Sequence, residues 1–151
     1  MAVNESDNGP ISYKGFEVNL PELTLSKGNQ SLSDTLVIVH DDPVKAIKHI
    51  SENFREDLYR LIEFYGETTG LSYVGDTIHS LDVLKKNDVI TEQTHAGALS
   101  IYTSFMMIDL ESDSLKKEFI EGKVIDLQNH SVEILTNIRK EMALKLKDLE
   151  S

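Results

Sequence analysis

The chain has 151 residues, 40% of them hydrophobic, no cysteine, and a formal net charge of −11 from 26 acidic and 15 basic side chains. That length suffices for one domain that buries about 70% of its unfolded surface without a metal or disulfide. The missing cysteines exclude thiolate catalysis, cysteine zinc sites and iron–sulfur clusters and fit a cytoplasmic protein, while the acidic balance excludes a nucleic-acid or anionic-membrane surface, which needs clustered Lys and Arg. The charge is uneven: the acidic and basic residues of 114–151 balance, so the whole excess lies in residues 1–113.

Residues 1–10 lack the basic and apolar regions of a secretory signal and are expected to form a short disordered tail, followed by a single helical domain over 11–151. From Ile11 to Leu20 apolar residues alternate with polar ones on either side of Lys14-Gly15, which predicts a β-hairpin or an extended arm on the helices. Ser26–Ser31 is a polar loop. The β-branched run Thr35–His40 reads as a short strand or as a turn leading into the next helix.

Asp42-Pro43 is a helix start, with Asp42 as cap and Pro43 where its missing N–H costs nothing. The first predicted helix, 43–65, places Ile47, Ile50, Phe54, Leu58, Leu61, Ile62 and Tyr65 in one stripe, and Gly66 is the expected cap. A second helix, 72–86, starts at Ser72, carries Leu71, Val74, Ile78, Leu81 and Leu84, and ends at Asn87-Asp88. Thr91 caps a third, 91–110; the connection of about four residues makes these two an antiparallel pair.

The third helix is uncharged from Ala96 to Ile108, about 20 Å of rise against the ~30 Å of a bilayer core, so it predicts a buried helix and no membrane span. Leu99, Ile101, Tyr102, Phe105, Met106, Met107 and Ile108 point all round it, which predicts cover on every side; Ala96-Gly97-Ala98 admits close approach of a neighbour. The fourth helix, 114–150, keeps an a/d-like stripe from Leu115 to Leu149. Its length predicts either a break between Gly122 and Ser131 or a protruding end that pairs with a second copy. The fold class is therefore mainly α, a four-helix bundle-like domain with a short N-terminal extended or β-hairpin segment.

No constellation points to catalysis. Glu92 and His95 form one Glu-x-x-His unit, whereas dimetal bundles use two plus two further glutamates; here Glu92 suits a helix N-terminus, with His95 hydrogen-bonding at the same end. His40 beside Asp41-Asp42 has the chemistry of an acid–base pair, but those aspartates are accounted for by the helix start. His79 is expected to be partly exposed, and His130 falls at the expected break. Nucleophile-elbow, dinucleotide and P-loop glycine patterns are missing. Tyr59, Tyr65, Tyr73 and Tyr102, with the phenylalanines, sit at apolar helical positions and are expected to pack in the core. No catalytic, cofactor-binding or metal-ligating residue is assigned, and no cofactor is expected.

Gly75-Asp76-x-Ile78-x-x-Leu81-x-x-Leu84, the turn Lys85-Lys86-Asn87-Asp88-Val89-Ile90 and the buried helix that follows resemble the second half of HEPN-like helical domains, in particular the mannitol-repressor-like ones. The likeness covers about 34 residues directly and about 110 by helix order. HEPN ribonucleases carry Arg-x-x-x-x-His on the helix matching 91–110, which here has no arginine, so no active-site residue carries over. The resemblance implies a helical scaffold without the nuclease, of a type associated with regulation or partner binding. The expected function is a non-enzymatic acidic interaction module, a regulator, antitoxin or toxin-neutralising immunity protein, with a basic protein partner. A divergent HEPN-like nuclease or metal-dependent bundle enzyme, and a homo-oligomer joined through 114–150, are the alternatives.

Overall fold

The computed structural model describes residues 10–23, 43–71, 76–111 and 117–150. The readings of the tail, the 26–31 loop, the 35–40 segment, the Asp42 cap and the Ser72 cap lie outside them. Two short strands, β1 (Ile11–Tyr13) and β2 (Phe16–Val18), precede four helices, α1 (Pro43–Thr69), α2 (Thr77–Lys86), α3 (Glu92–Glu111) and α4 (Lys117–Glu150). The protein is mainly α, as its apolar periodicity requires. None of the described helices is long and apolar enough to cross a membrane.

The alternation of Ile11–Leu20 resolves as a hairpin. β1 and β2 pair antiparallel with Ile11 opposite Val18 and Tyr13 opposite Phe16. Lys14 and Gly15 turn between them at φ 51° and 84°, the two positive values that a two-residue turn matched to strand twist demands. Ile11 and Tyr13 are buried and β1 packs on α4, whereas Phe16, on the outer strand, is exposed.

All seven stripe residues of α1 from Ile47 to Tyr65 are buried. The helix runs four residues beyond the expected end: Gly66 stays helical, and Gly70, at φ 78°, takes the capping role by donating its N–H to the Gly66 carbonyl. α2 starts at Asp76, whose Oδ1 accepts the His79 N–H at 2.9 Å. Leu81 and Leu84 are buried, but Ile78 is 40% exposed and leaves the expected stripe. The helix closes in a Schellman motif, with Val89 N–H on Leu84 O, Asp88 N–H on Lys85 O, and Asp88 at φ 58° where glycine is usual.

Thr91 caps α3 as expected, its Oγ1 accepting the Thr94 N–H at 3.1 Å. Ala98, Ile101 and Phe105 face the core, and the Phe105 ring lies 5.7 Å from that of Phe54. Burial of α3 on every side is not what the structure has: Met106 and Met107 are exposed and Tyr102 is half-buried beneath the Arg55 guanidinium. α3 is thus a core helix on one face only. Gly97 does admit a neighbour closely, since a Cβ there would collide with Ile134 Cδ1 of α4.

α4 is unbroken for 34 residues, with no interruption between Gly122 and Ser131. Gly122 is exposed and no described residue crowds it, so it costs only about 1 kcal/mol of helix propensity. Gln128 and Ser131, expected to weaken the helix, are instead buried. Nor does the C-terminal end protrude free of the fold, because β1 packs on α4 and Glu150 Oε2 accepts the Lys14 N–H at 2.5 Å.

Contacts fix the directions. Arg60 of α1 donates to the Glu22 carbonyl at 2.8 Å and Arg139 of α4 to the Pro21 carbonyl at 2.9 Å; further along, Tyr65 faces Tyr13 while Glu150 holds Lys14. α1 and α4 therefore run parallel. α3 runs against α4, with Thr91 and Thr94 level with Glu141 and Gly97 level with Ile134.

Two outcomes follow from this packing. Phe105→Ala should cost about 3–5 kcal/mol in denaturant unfolding; a loss under about 1 kcal/mol would contradict its burial. Burial pushes the Tyr65 phenol up to about 12 from an ordinary 10.0. The unfolded chain loses that proton first, so the stability Tyr65 contributes is complete below pH 10 and falls as pH rises through about 12. Unfolding midpoints of Tyr65→Phe should accordingly decline less over that window than those of the parent.

Candidate interaction surface

The buried stripe of α1 leaves an opposite face in water, and five exposed residues there recur at spacings of three and four: Glu52, Glu56, Tyr59, Glu63 and Glu67. At 100° per residue they fall within about 80° of arc and span roughly 22 Å of helix. Tyr59 sits near the middle, 64% exposed, against the core position expected of it. Its spacing to Glu56 and Glu63, rather than to Leu58 and Leu61, was the available signal. The Glu63 carboxylate raises the Tyr59 pKa by its charge and by accepting the phenol hydrogen bond, and Glu67 adds to the same field.

The arginines of α1 also engage groups away from this face. Arg60 is drawn to Asp57, 2.6 Å away and itself buried, and to the Glu22 carbonyl. Arg55 lies over the Tyr102 ring, 5.7 Å from its centroid. What α1 offers to a partner is thus an aromatic ring among four carboxylates.

The histidines separate. His49, exposed, meets the Asn53 side chain at 3.1 Å; His79 and His130 are exposed, and His40 lies outside the described residues. Among the described histidines only His95 is buried, with Nε2 2.7 Å from Asp82 Oδ1, joining α3 to α2. Glu92 remains exposed, so the Glu92-x-x-His95 spacing does not become a shared site. No described group of three His, Asp or Glu side chains is arranged to hold a metal.

A second feature is an open cleft of about 410 Å³ between the α2–α3 turn and the last turns of α4. One wall is fixed by Glu141, whose Oε1 accepts the Thr91 N–H at 2.6 Å and whose Oε2 accepts the Thr94 hydroxyl at 2.5 Å. A carboxylate from another helix thereby satisfies the free donors at the start of α3, where the helix dipole also favours negative charge. The pairing of residues 91 and 141 has no local sequence signature.

The chain matches no protein-family model, no curated protein and no solved structure to which it was compared.

Glu141→Ala should lower unfolding stability by about 1–3 kcal/mol, because two donors at the start of α3 lose a charged acceptor. Glu141→Gln, which keeps one acceptor oxygen but not the charge, should lose less than Glu141→Ala; a Glu141→Gln variant as stable as the parent would remove the charge from the account.

Proposed function

We propose that this chain is a non-enzymatic interaction module, a regulator, antitoxin or toxin-neutralising immunity protein, whose α1 outer face docks on a basic protein surface. The observation that carries the reading is Tyr59, a large amphipathic ring left 64% exposed on the face of α1 opposite its buried apolar stripe. Tyrosine in such a position is a common anchor of protein interfaces, since it adds contact area for little lost side-chain freedom. The surrounding glutamates supply charge complementarity, which speeds encounter with a basic surface and rejects acidic ones. The HEPN-like resemblance, without Arg-x-x-x-x-His, agrees with partner binding rather than RNA cleavage.

The test is affinity capture with mass spectrometry, then titration of the purified partner. Affinity should fall at least tenfold between about 0.05 M and about 0.5 M salt, and Tyr59→Ala should cost about 2 kcal/mol, roughly 30-fold in Kd. Tight binding indifferent both to salt and to Glu63→Lys would reject this face as the docking surface.

A further inference from the structure

We propose that the N-terminal arm, residues 11–23, is exchanged between two copies of this chain, each arm seating on α1 and α4 of the other copy. Such exchange does not depend on the outer face of α1 having a partner. Within one chain the arm is held as a separate peptide would be. Ile11, Tyr13, Leu20 and Leu23 are buried in the common core, and β1 packs on α4. Arg139 donates through Nε to the Pro21 carbonyl and through Nη2, at 3.2 Å, to that of Leu20, while Arg60 donates to the Glu22 carbonyl. The Lys14 N–H closes the far end on Glu150. Each of these bonds joins residues at least 38 apart in sequence, so the geometry is the same whichever copy supplies the arm.

The length of the connection permits this. Arg60 fixes Glu22 seventeen residues along α1 from Pro43, about 25 Å of helix. Residues 24–42, which lie outside the described residues, join Leu23 to Pro43, and these nineteen residues reach roughly 65 Å at full extension. Less than half of that reach covers the span, so the chain is not obliged to return its arm to its own bundle. An uncovered groove would put the apolar surface beneath Ile11, Tyr13, Leu20 and Leu23 in water, so each bundle keeps an arm and only its source varies. Exchange conserves every arm–bundle contact. The balance then rests on protein concentration against the effective concentration that the tether gives the arm, on the order of 1 mM for a short connection. Four buried side chains must leave together, so exchange is slow and a dimer outlasts dilution.

The experiment uses the full chain, whose lack of cysteine lets one introduced thiol report position cleanly. Asp148→Cys, at an exposed position two residues before Glu150, carries a nitroxide in copies without isotope label. These are mixed with isotope-labelled parent chain, held at about 1 mM and then diluted about tenfold. Light scattering should show a dimer whose share grows with the holding concentration. Within that dimer the amides of Tyr13, Lys14 and Gly15 of the labelled copy should be broadened by the nitroxide of the other. Leu20→Ala, which loosens the seating of the arm and is shown folded by circular dichroism, should form the dimer at least tenfold faster. A monomeric mass at every holding concentration, a mixed dimer without that broadening, or a Leu20→Ala rate equal to the parent's would overturn the exchange. None of these variants alters Tyr59 or its neighbouring glutamates, so failure here leaves the Tyr59 reading to its own test.

Discussion

The constraint on which the rest of this structure depends is the apolar stripe of α4, buried from Val124 to Leu146 along a helix about 50 Å long. No single neighbour covers it. α1 packs along it in parallel, α3 packs in the opposite direction, and β1 closes the C-terminal end. Two parallel helices place like dipole ends side by side, and the antiparallel α3 packed on α4 offsets this. Gly97 leaves room for the tip of the Ile134 side chain against the α3 backbone.

Around this apolar contact, charged side chains tie down main-chain groups that secondary structure leaves free. Arg60 and Arg139, from the two parallel helices, bond successive carbonyls of Pro21 and Glu22, while Leu20 and Leu23 bury their side chains nearby. Burial lowers the Arg139 pKa, the cost of taking a guanidinium out of water, and carbonyl acceptors at Pro21 and Leu20 offset it. Glu141 does the complementary work at the start of α3. Each of these is a charge-assisted bond between residues far apart in sequence, which orients elements that hydrophobic burial alone would leave free to slide.

The contrast between legible and illegible features follows from range. The α1 stripe could be read from spacing because a helix face is a local property, and the Lys14-Gly15 turn because positive φ is one. Gly66 misled because a cap depends on where packing ends: Tyr65 is buried and its carbonyl accepts the Thr69 hydroxyl, so the helix continues to Gly70. Gln128 and Ser131 misled in the other direction, since polar residues inside a long helix break it only if packing does not hold it, and both are buried. Met106 and Met107 read as core because hydrophobicity shows that a residue prefers burial, without showing that a neighbour is present to provide it. Tyr59 misled in the same way: its ring suggested core, while its register with the glutamates placed it in water.

Charge is the property that folding changed most. In sequence the acidic excess of residues 1–113 is an average over many positions, tempered by the bases among them. In the fold, Arg60 and Arg139 turn to main-chain carbonyls and Arg55 to the Tyr102 ring, so all three arginines serve internal contacts. The glutamates at 52, 56, 63 and 67 stay exposed and converge on one face of α1, where Glu63 accepts the Tyr59 phenol. The acidic excess, an average in the sequence, thus becomes a local cluster on the outer face of α1. Had lysines stood at 60 and 139, a single ammonium in each place would bond carbonyls with less directional grip, and the same net charge would leave a looser arm.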